Sequence, residues 1–209
     1  MKNLLFCLTL LSISLTQAQS DADNPWSLAL KGGLNVTTFA GDVTDEEYAA
    51  GFNAGIAIER KITEKWALQG EVVFSVQGAK FEGPVYLDEY IYNMKDHYKL
   101  SYVNVPVLAK FYATPRLNFF AGPQVGFLVE AAWRIEYNNG LGDSGEGSIN
   151  VKNQFKSTDV AAVLGLGCEI TKKFYAEARY NIGVTNASDI PDISLQNRVF
   201  QFGVAYRIL

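Results

Sequence analysis

Proton-transfer chemistry in this chain would have to use its one histidine, His97, together with the carboxylate just before it, Asp96. An imidazole beside a carboxylate can act as an acid–base pair when a nucleophile lies within reach. Adjacent residues of an extended segment point to opposite faces, however, so this pair could meet only across a bend. No serine in the neighbourhood stands out as a nucleophile, and no enzyme is expected. A single histidine also leaves little scope for a metal centre. Gly41-Asp-Val-Thr-Asp-Glu-Glu47 would attract divalent cations but lacks a ligand spacing, so it reads as a solvated loop. Gly165-Leu166-Gly167 is without the third glycine and the helix of a dinucleotide fingerprint. Two cysteines make no disulfide framework, and Cys168 sits in an apolar run as a small hydrophobe. No cofactor and no metal are expected.

The charges worth following are those that punctuate apolar runs: Lys31, Glu59, Glu71, Lys110, Glu130, Asp159, Glu169, Glu177, Arg179 and Arg207. Each lies in a period-two segment, the signature of a strand with one apolar face. Leu28, Leu30, Leu34 and Val36 alternate with Ala29, Lys31, Gly33 and Asn35. Trp66, Leu68, Val72 and Phe74 alternate with Gln69, Glu71 and Ser75. Ala176, Ala178, Tyr180 and Ile182 oppose Glu177, Arg179, Asn181 and Gly183. The pattern recurs in runs containing Phe52–Ile58, Val103–Phe111, Phe119–Val129, Val160–Ile170 and Phe200–Ile208, so eight amphipathic strands are predicted.

At 209 residues the chain suits one domain, and with 48% hydrophobic residues it is not disordered. A net charge of −4 without a basic cluster argues against a nucleic-acid partner. Lys2, an apolar stretch from Leu4 to Leu15 and then Thr16-Gln17-Ala18 read as a cleaved secretory signal, residues 1–18. Residues 19–209 form the folded domain. Cleavage would remove Cys7 and leave Cys168 without an intramolecular partner.

Connections sort by length as the chain advances. Tight turns at Lys61–Lys65, Ala113–Arg116 and Thr171–Lys173 alternate with long segments at 41–48, 79–98, 132–157 and 186–197. Short turns on one side and long loops on the other are the habit of an outer-membrane barrel. Each run is also long enough for the roughly 9–11 residues that a tilted spanning strand needs. The fold class is therefore all-β: an eight-stranded antiparallel up-and-down transmembrane β-barrel, closed because lipid cannot satisfy a sheet edge.

In such a barrel the ten charges above line the lumen. Buried charges must pair, so they are expected to plug a narrow interior, with an ion path as the competing reading. Trp26, Trp66, Phe111, Phe119, Tyr180 and Tyr206 are expected in interfacial girdles. Tyr86, Tyr90, Tyr92 and Tyr98 in the second long segment are candidates for a recognition surface. Pro106 and Pro123 are expected to sit at bulges, since neither can donate to a ladder.

Four segments carry a family resemblance. Tyr102-Val-Asn-Val-Pro-Val-Leu-Ala-Lys110, Phe120-Ala-Gly-Pro123, Glu177-Ala-Arg-Tyr-Asn-Ile-Gly183 and Asn197-Arg-Val-Phe-Gln-Phe-Gly-Val-Ala-Tyr-Arg207 follow one another in this order. Together they resemble the small outer-membrane β-barrel family common in Bacteroidetes, often labelled porin-family or PorT-like. The likeness spans essentially the whole chain after residue 18. It implies an address in the outer membrane of a Gram-negative bacterium, with membrane lipid and the outer-membrane insertion machinery as partners. It also permits an extracellular or secretion-system protein partner, because PorT is implicated in assembling a secretion system. Such barrels often end on an aromatic residue read by the insertase, whereas Leu209 follows the outward series Tyr206 and Ile208 here. The function expected is a non-enzymatic envelope-structural or surface-interaction barrel. The alternatives are a narrow channel, a secretion component, or a soluble lipocalin-like binder with its apolar face turned inward.

Overall fold

The computed structural model describes residues 25–42, 46–87, 90–138 and 144–208, with the side chains of 46, 84–87, 90–92 and 138 excepted. The expected signal segment 1–18 and Leu209 lie outside the described residues, as do the side chains of Tyr86, Tyr90 and Tyr92. The strands are β1 (Trp26–Gly41), β2 (Glu46–Lys61), β3 (Trp66–Leu87), β4 (Tyr90–Tyr112), β5 (Leu117–Asn138), β6 (Ser144–Asn150), β7 (Thr158–Glu169), β8 (Phe174–Gly183) and β9 (Leu195–Arg207). All pairings are antiparallel, and β4–β5 together with β1–β9 close the sheet on itself. Of the nine strands, β6 pairs only with β5, which leaves eight in the ring, as the alternation predicted.

The alternation decides which side faces out. Leu34 is 68% exposed, Phe202 55% and Val72 48%, and every strand of the ring contributes neighbours of this kind. A soluble monomer does not carry an apolar patch that runs round its whole girth. Between these residues, Lys31, Glu71 and Arg179 are buried inside. The polar face is the inner one, which overturns the lipocalin-like alternative, since that needs the reverse. No helix among the described residues is long and apolar enough to cross a membrane.

Three short turns share one construction. The Thr63 hydroxyl accepts from the Lys65 and Trp66 N–H groups, Thr114 from Arg116 and Leu117, and Thr171 from Lys173 and Phe174. A threonine side chain thus closes each turn by local hydrogen bonding. Around this end the aromatics gather: Trp66 packs on Phe111 at 5.0 Å and Phe174 on Tyr206 at 5.3 Å, with Arg60 5.2 Å above the Trp26 ring. Tyr180 stacks on Phe200, farther from the short turns.

At the opposite end the long segments differ from the expectation. Residues 79–98 are not a loop: β3 and β4 stay paired from Ala79↔Tyr98 to Leu87↔Tyr90. Much of 132–157 is likewise sheet, because β5 continues to Asn138 and β6 returns along it. Valine, isoleucine and tyrosine in these stretches favour a pleated conformation, so the hairpins rise beyond the ring. One edge of β5 is shared by height, pairing with β7 from Leu117 to Phe127 and with β6 from Ala132 to Asn138.

The expected bulges at Pro106 and Pro123 are absent. Pairing skips two residues on one side of each proline and resumes in the same register. The register shifts lie elsewhere. Ser101 pairs with Glu130 and Tyr102 with Leu128, so Val129 is an extra residue on β5. A second shift, between Tyr48 and Asn53, opens the β2–β3 ladder. Gly78, across that opening, has φ +141°, a backbone that a side chain would strain.

Candidate functional site in the barrel lumen

The lumen has two halves. In the half toward the short turns, Lys31 of β1, Glu71 of β3, and Glu177 and Arg179 of β8 meet across the axis. Lys31 Nζ lies 2.7 Å from Glu71 Oε1 and 2.7 Å from Glu177 Oε1. Arg179 donates from Nη1 to Glu71 Oε2 and from Nη2 to Glu71 Oε1, each at 3.0 Å, and also pairs with Glu177. This two-pronged Arg–carboxylate contact fixes orientation as well as distance. Two cations and two anions balance, and their side chains are 0–6% exposed.

A second cluster hangs below the first. Lys110 Nζ donates to Glu59 Oε2 at 2.7 Å and to Gln69 Oε1 at 3.0 Å, while Tyr112 donates to Glu59 Oε1 at 2.6 Å. Gln69 links back to Glu71. The Tyr175 ring lies 4.6 Å from the Lys110 ammonium, and its hydroxyl donates to Asn118 Oδ1 at 2.9 Å. Arg207 and Glu169 pair at 2.6 Å at the half-exposed rim. The space left among these groups is about 30 Å³, room for roughly one or two waters.

Midway, amides replace charges. Asn53 and Gln201 both donate to Asn35 Oδ1, at 2.7 and 3.0 Å, and Asn35 donates to Ser75 Oγ at 3.0 Å. Asn35 also donates to Val76 O at 2.8 Å, and Thr37 to Gly78 O at 2.7 Å. Lumen side chains of β1 therefore satisfy carbonyls that the opening of the β2–β3 ladder leaves without a strand partner, as a buried carbonyl requires. Asp159 accepts from Thr185 at 2.9 Å and Asn197 at 3.0 Å, with no cation within ion-pair distance among the described residues.

Toward the long hairpins the same inner face turns apolar. Phe39, Leu100, Leu128, Val151, Phe155 and Leu195 form a buried cluster with Tyr102. Tyr98 stacks on Trp133 at 5.8 Å with the rings 4° from parallel, and meets Phe81 edge-on at 5.8 Å. Trp133 Nε1 donates to Asp96 Oδ1 at 3.2 Å. Burial, and then the Asp96 carboxylate, push the Tyr98 phenol up, so it stays neutral in the stack.

Nine of the ten predicted lumen charges thus lie on the inner face, at mid-lumen or at its rim. Glu130 does not: it is exposed on the outer wall. Val129 is the cause, because one extra residue inverts the side-chain parity of β5 beyond it. Tyr98 sits half-buried in the aromatic cap rather than on a loop surface. Asp96 and His97 point to opposite faces of β4, with Asp96 engaged by Trp133, so they make no acid–base pair. Among the described residues no group of three His, Cys, Asp or Glu could hold a metal. Cys168 is free and faces outward.

Sequence reasoning missed the apolar cap. Its one sequence signal was Phe39, an aromatic at an inward position of β1 after Lys31, Asn35 and Thr37.

The family comparison agrees with the architecture. Residues 17–189 match the family model described as "Outer membrane protein beta-barrel domain". Solved structures similar to the chain include Ail, the attachment invasion locus protein of Yersinia pestis, in complex with the heparin analogue sucrose octasulfate. It is 16% identical with a TM-score of 0.48, covering 88% of this chain and 99% of that one. Neisserial surface protein A is 12% identical with a TM-score of 0.49, covering 86% and 96%. OprG from Pseudomonas aeruginosa is 9% identical with a TM-score of 0.42, covering 88% and 97%. Among curated protein sequences none matches.

Proposed function

This chain belongs to the outer membrane protein beta-barrel domain family, and from that premise we propose that it works as a plugged, non-enzymatic barrel. Residues 1–18 act as its export signal. The short turns face the periplasm, and the β3–β4 and β5–β6 hairpins stand on the cell surface as the interaction-bearing part. The observation that carries this reading is the neutral quartet of Lys31, Glu71, Glu177 and Arg179, 0–6% exposed, with an aromatic cap above it. An eight-stranded barrel is just wide enough for side chains to fill, and here charge pairs and rings fill it.

Single-channel recording tests the plug. The chain is refolded into a planar bilayer after a heat-dependent gel shift has confirmed a folded barrel. Silence at all voltages is the expected result. Discrete conductance steps that change when Glu71 or Arg179 is neutralised would replace the plug with a narrow channel.

A further inference from the structure

The outer wall carries a polar feature that the plug does not use. Where the β2–β3 ladder opens, a groove of about 300 Å³ cuts into the wall, with Phe52 and Val76 among its apolar lining and Lys80, His97, Lys99 and Arg134 among its polar lining. Lys80, His97 and Arg134 stand directly across from one another on β3, β4 and β5. Lys99 lies on the same face of β4, two residues nearer the apolar band. Strands lie about 4.8 Å apart, so the three directly opposed groups span roughly 10 Å, the scale of one headgroup.

None of the four is in an ion pair among the described residues, although Glu47 pairs with Lys80 in backbone register. The next row outward differs, for there Lys95 is neutralised by Glu82 at 3.2 Å, and Glu136 and Glu146 follow across β5 and β6. Going up this wall, the surface is apolar except for Glu130, two residues below the Lys99 level on β5, then cationic, then acidic. Phe52 joins the groove to the apolar band, packing on Phe74 at 6.0 Å. A soluble anion would need only the cations. Cations above an apolar floor that merges with the membrane-facing wall fit an amphiphile whose headgroup is anionic.

We propose that this groove binds the phosphorylated headgroup of a membrane lipid, with Lys80, Lys99 and Arg134 holding the phosphate and Phe52 and Val76 contacting the first part of the acyl chain. The inference rests on the membrane placement of the barrel and is independent of the plug.

The test is native mass spectrometry of the folded barrel released from zwitterionic detergent, with dioleoylphosphatidic acid as the probe and dioleoylphosphatidylcholine as its zwitterionic control. Wild type should retain phosphatidate in preference to phosphatidylcholine. The K80Q/K99Q/R134Q variant should lose about tenfold or more of that retention, since each cation near a lipid surface contributes appreciably. Removing as many cations at the short turns, in K65Q/R116Q/K172Q, should change it little. Equal retention by the groove variant, or equal loss from the short-turn variant, would overturn the site. Displacement of phosphatidate by excess inorganic phosphate would overturn the lipid assignment in favour of a free-anion site. A gel shift on each variant reports folding; should the triple variant fail it, K99Q and R134Q singly carry the same comparison.

Discussion

The two halves of the lumen solve one problem with opposite chemistry. Both must fill the inside of a narrow closed sheet, yet one half uses charges and the other rings. The quartet of Lys31, Glu71, Glu177 and Arg179 draws on β1, β3 and β8, and each member needs all the others in place. The cap of Phe39, Leu100, Tyr98, Trp133 and Phe155 needs matching volume and surface, with the Trp133–Asp96 hydrogen bond as a directional contact. Directional contacts fix which strands face one another. Apolar packing tolerates rearrangement and seals the top against water.

Single removals should break this symmetry most clearly. Arg179→Ala leaves Glu71 and Glu177 buried with Lys31 alone, and is expected to destabilise the barrel by about 3–5 kcal/mol. Urea unfolding in lipid vesicles, followed by tryptophan fluorescence, measures it. A loss below about 1 kcal/mol would mean that water already screens the cluster. Leu100→Ala in the fully buried cap should cost about 3 kcal/mol in the same assay, the ordinary effect of an apolar cavity.

Replacing the whole quartet at once sharpens the contrast. Lys31→Met, Glu71→Leu, Glu177→Leu and Arg179→Met together should leave stability within about 1–2 kcal/mol of wild type, or raise it. The loss of directionality would appear instead as slower or less uniform refolding on the gel. The smallest effect belongs to Lys95→Gln. Its ion pair with Glu82 sits on the exposed wall of the upper hairpin, so under about 0.5 kcal/mol is expected, shrinking further in salt. The same type of contact is thus decisive inside the barrel and nearly idle outside it.

Legibility in the sequence followed the range of the interactions concerned. The inward placement of Glu71 was readable because Val72 and Phe74 set the face locally. The placement of Glu130 was not, because Val129 looks like one more outward residue until β4 is laid beside it. The hairpin strands at 79–87, 90–98, 132–138 and 144–150 carried β-forming residues, but loop-length sorting hid them. The cap was hidden for a further reason: its members come from β1, β3, β4, β5, β9 and the segment before β7, and only closure brings them together. The groove cluster was invisible too, since Lys80, His97 and Arg134 become neighbours only through cross-strand register.

By itself the sequence determined the strand count of the ring, the tight threonine turns and which face of most strands is polar. Side chains alternate with a fixed period of two along a strand, so composition at successive positions decides orientation without reference to anything distant. The tertiary structure alone decided which charge pairs with which, where an extra residue flips the face, and how the upper lumen is sealed. Those outcomes depend on register between strands, and register is set only when the sheet closes.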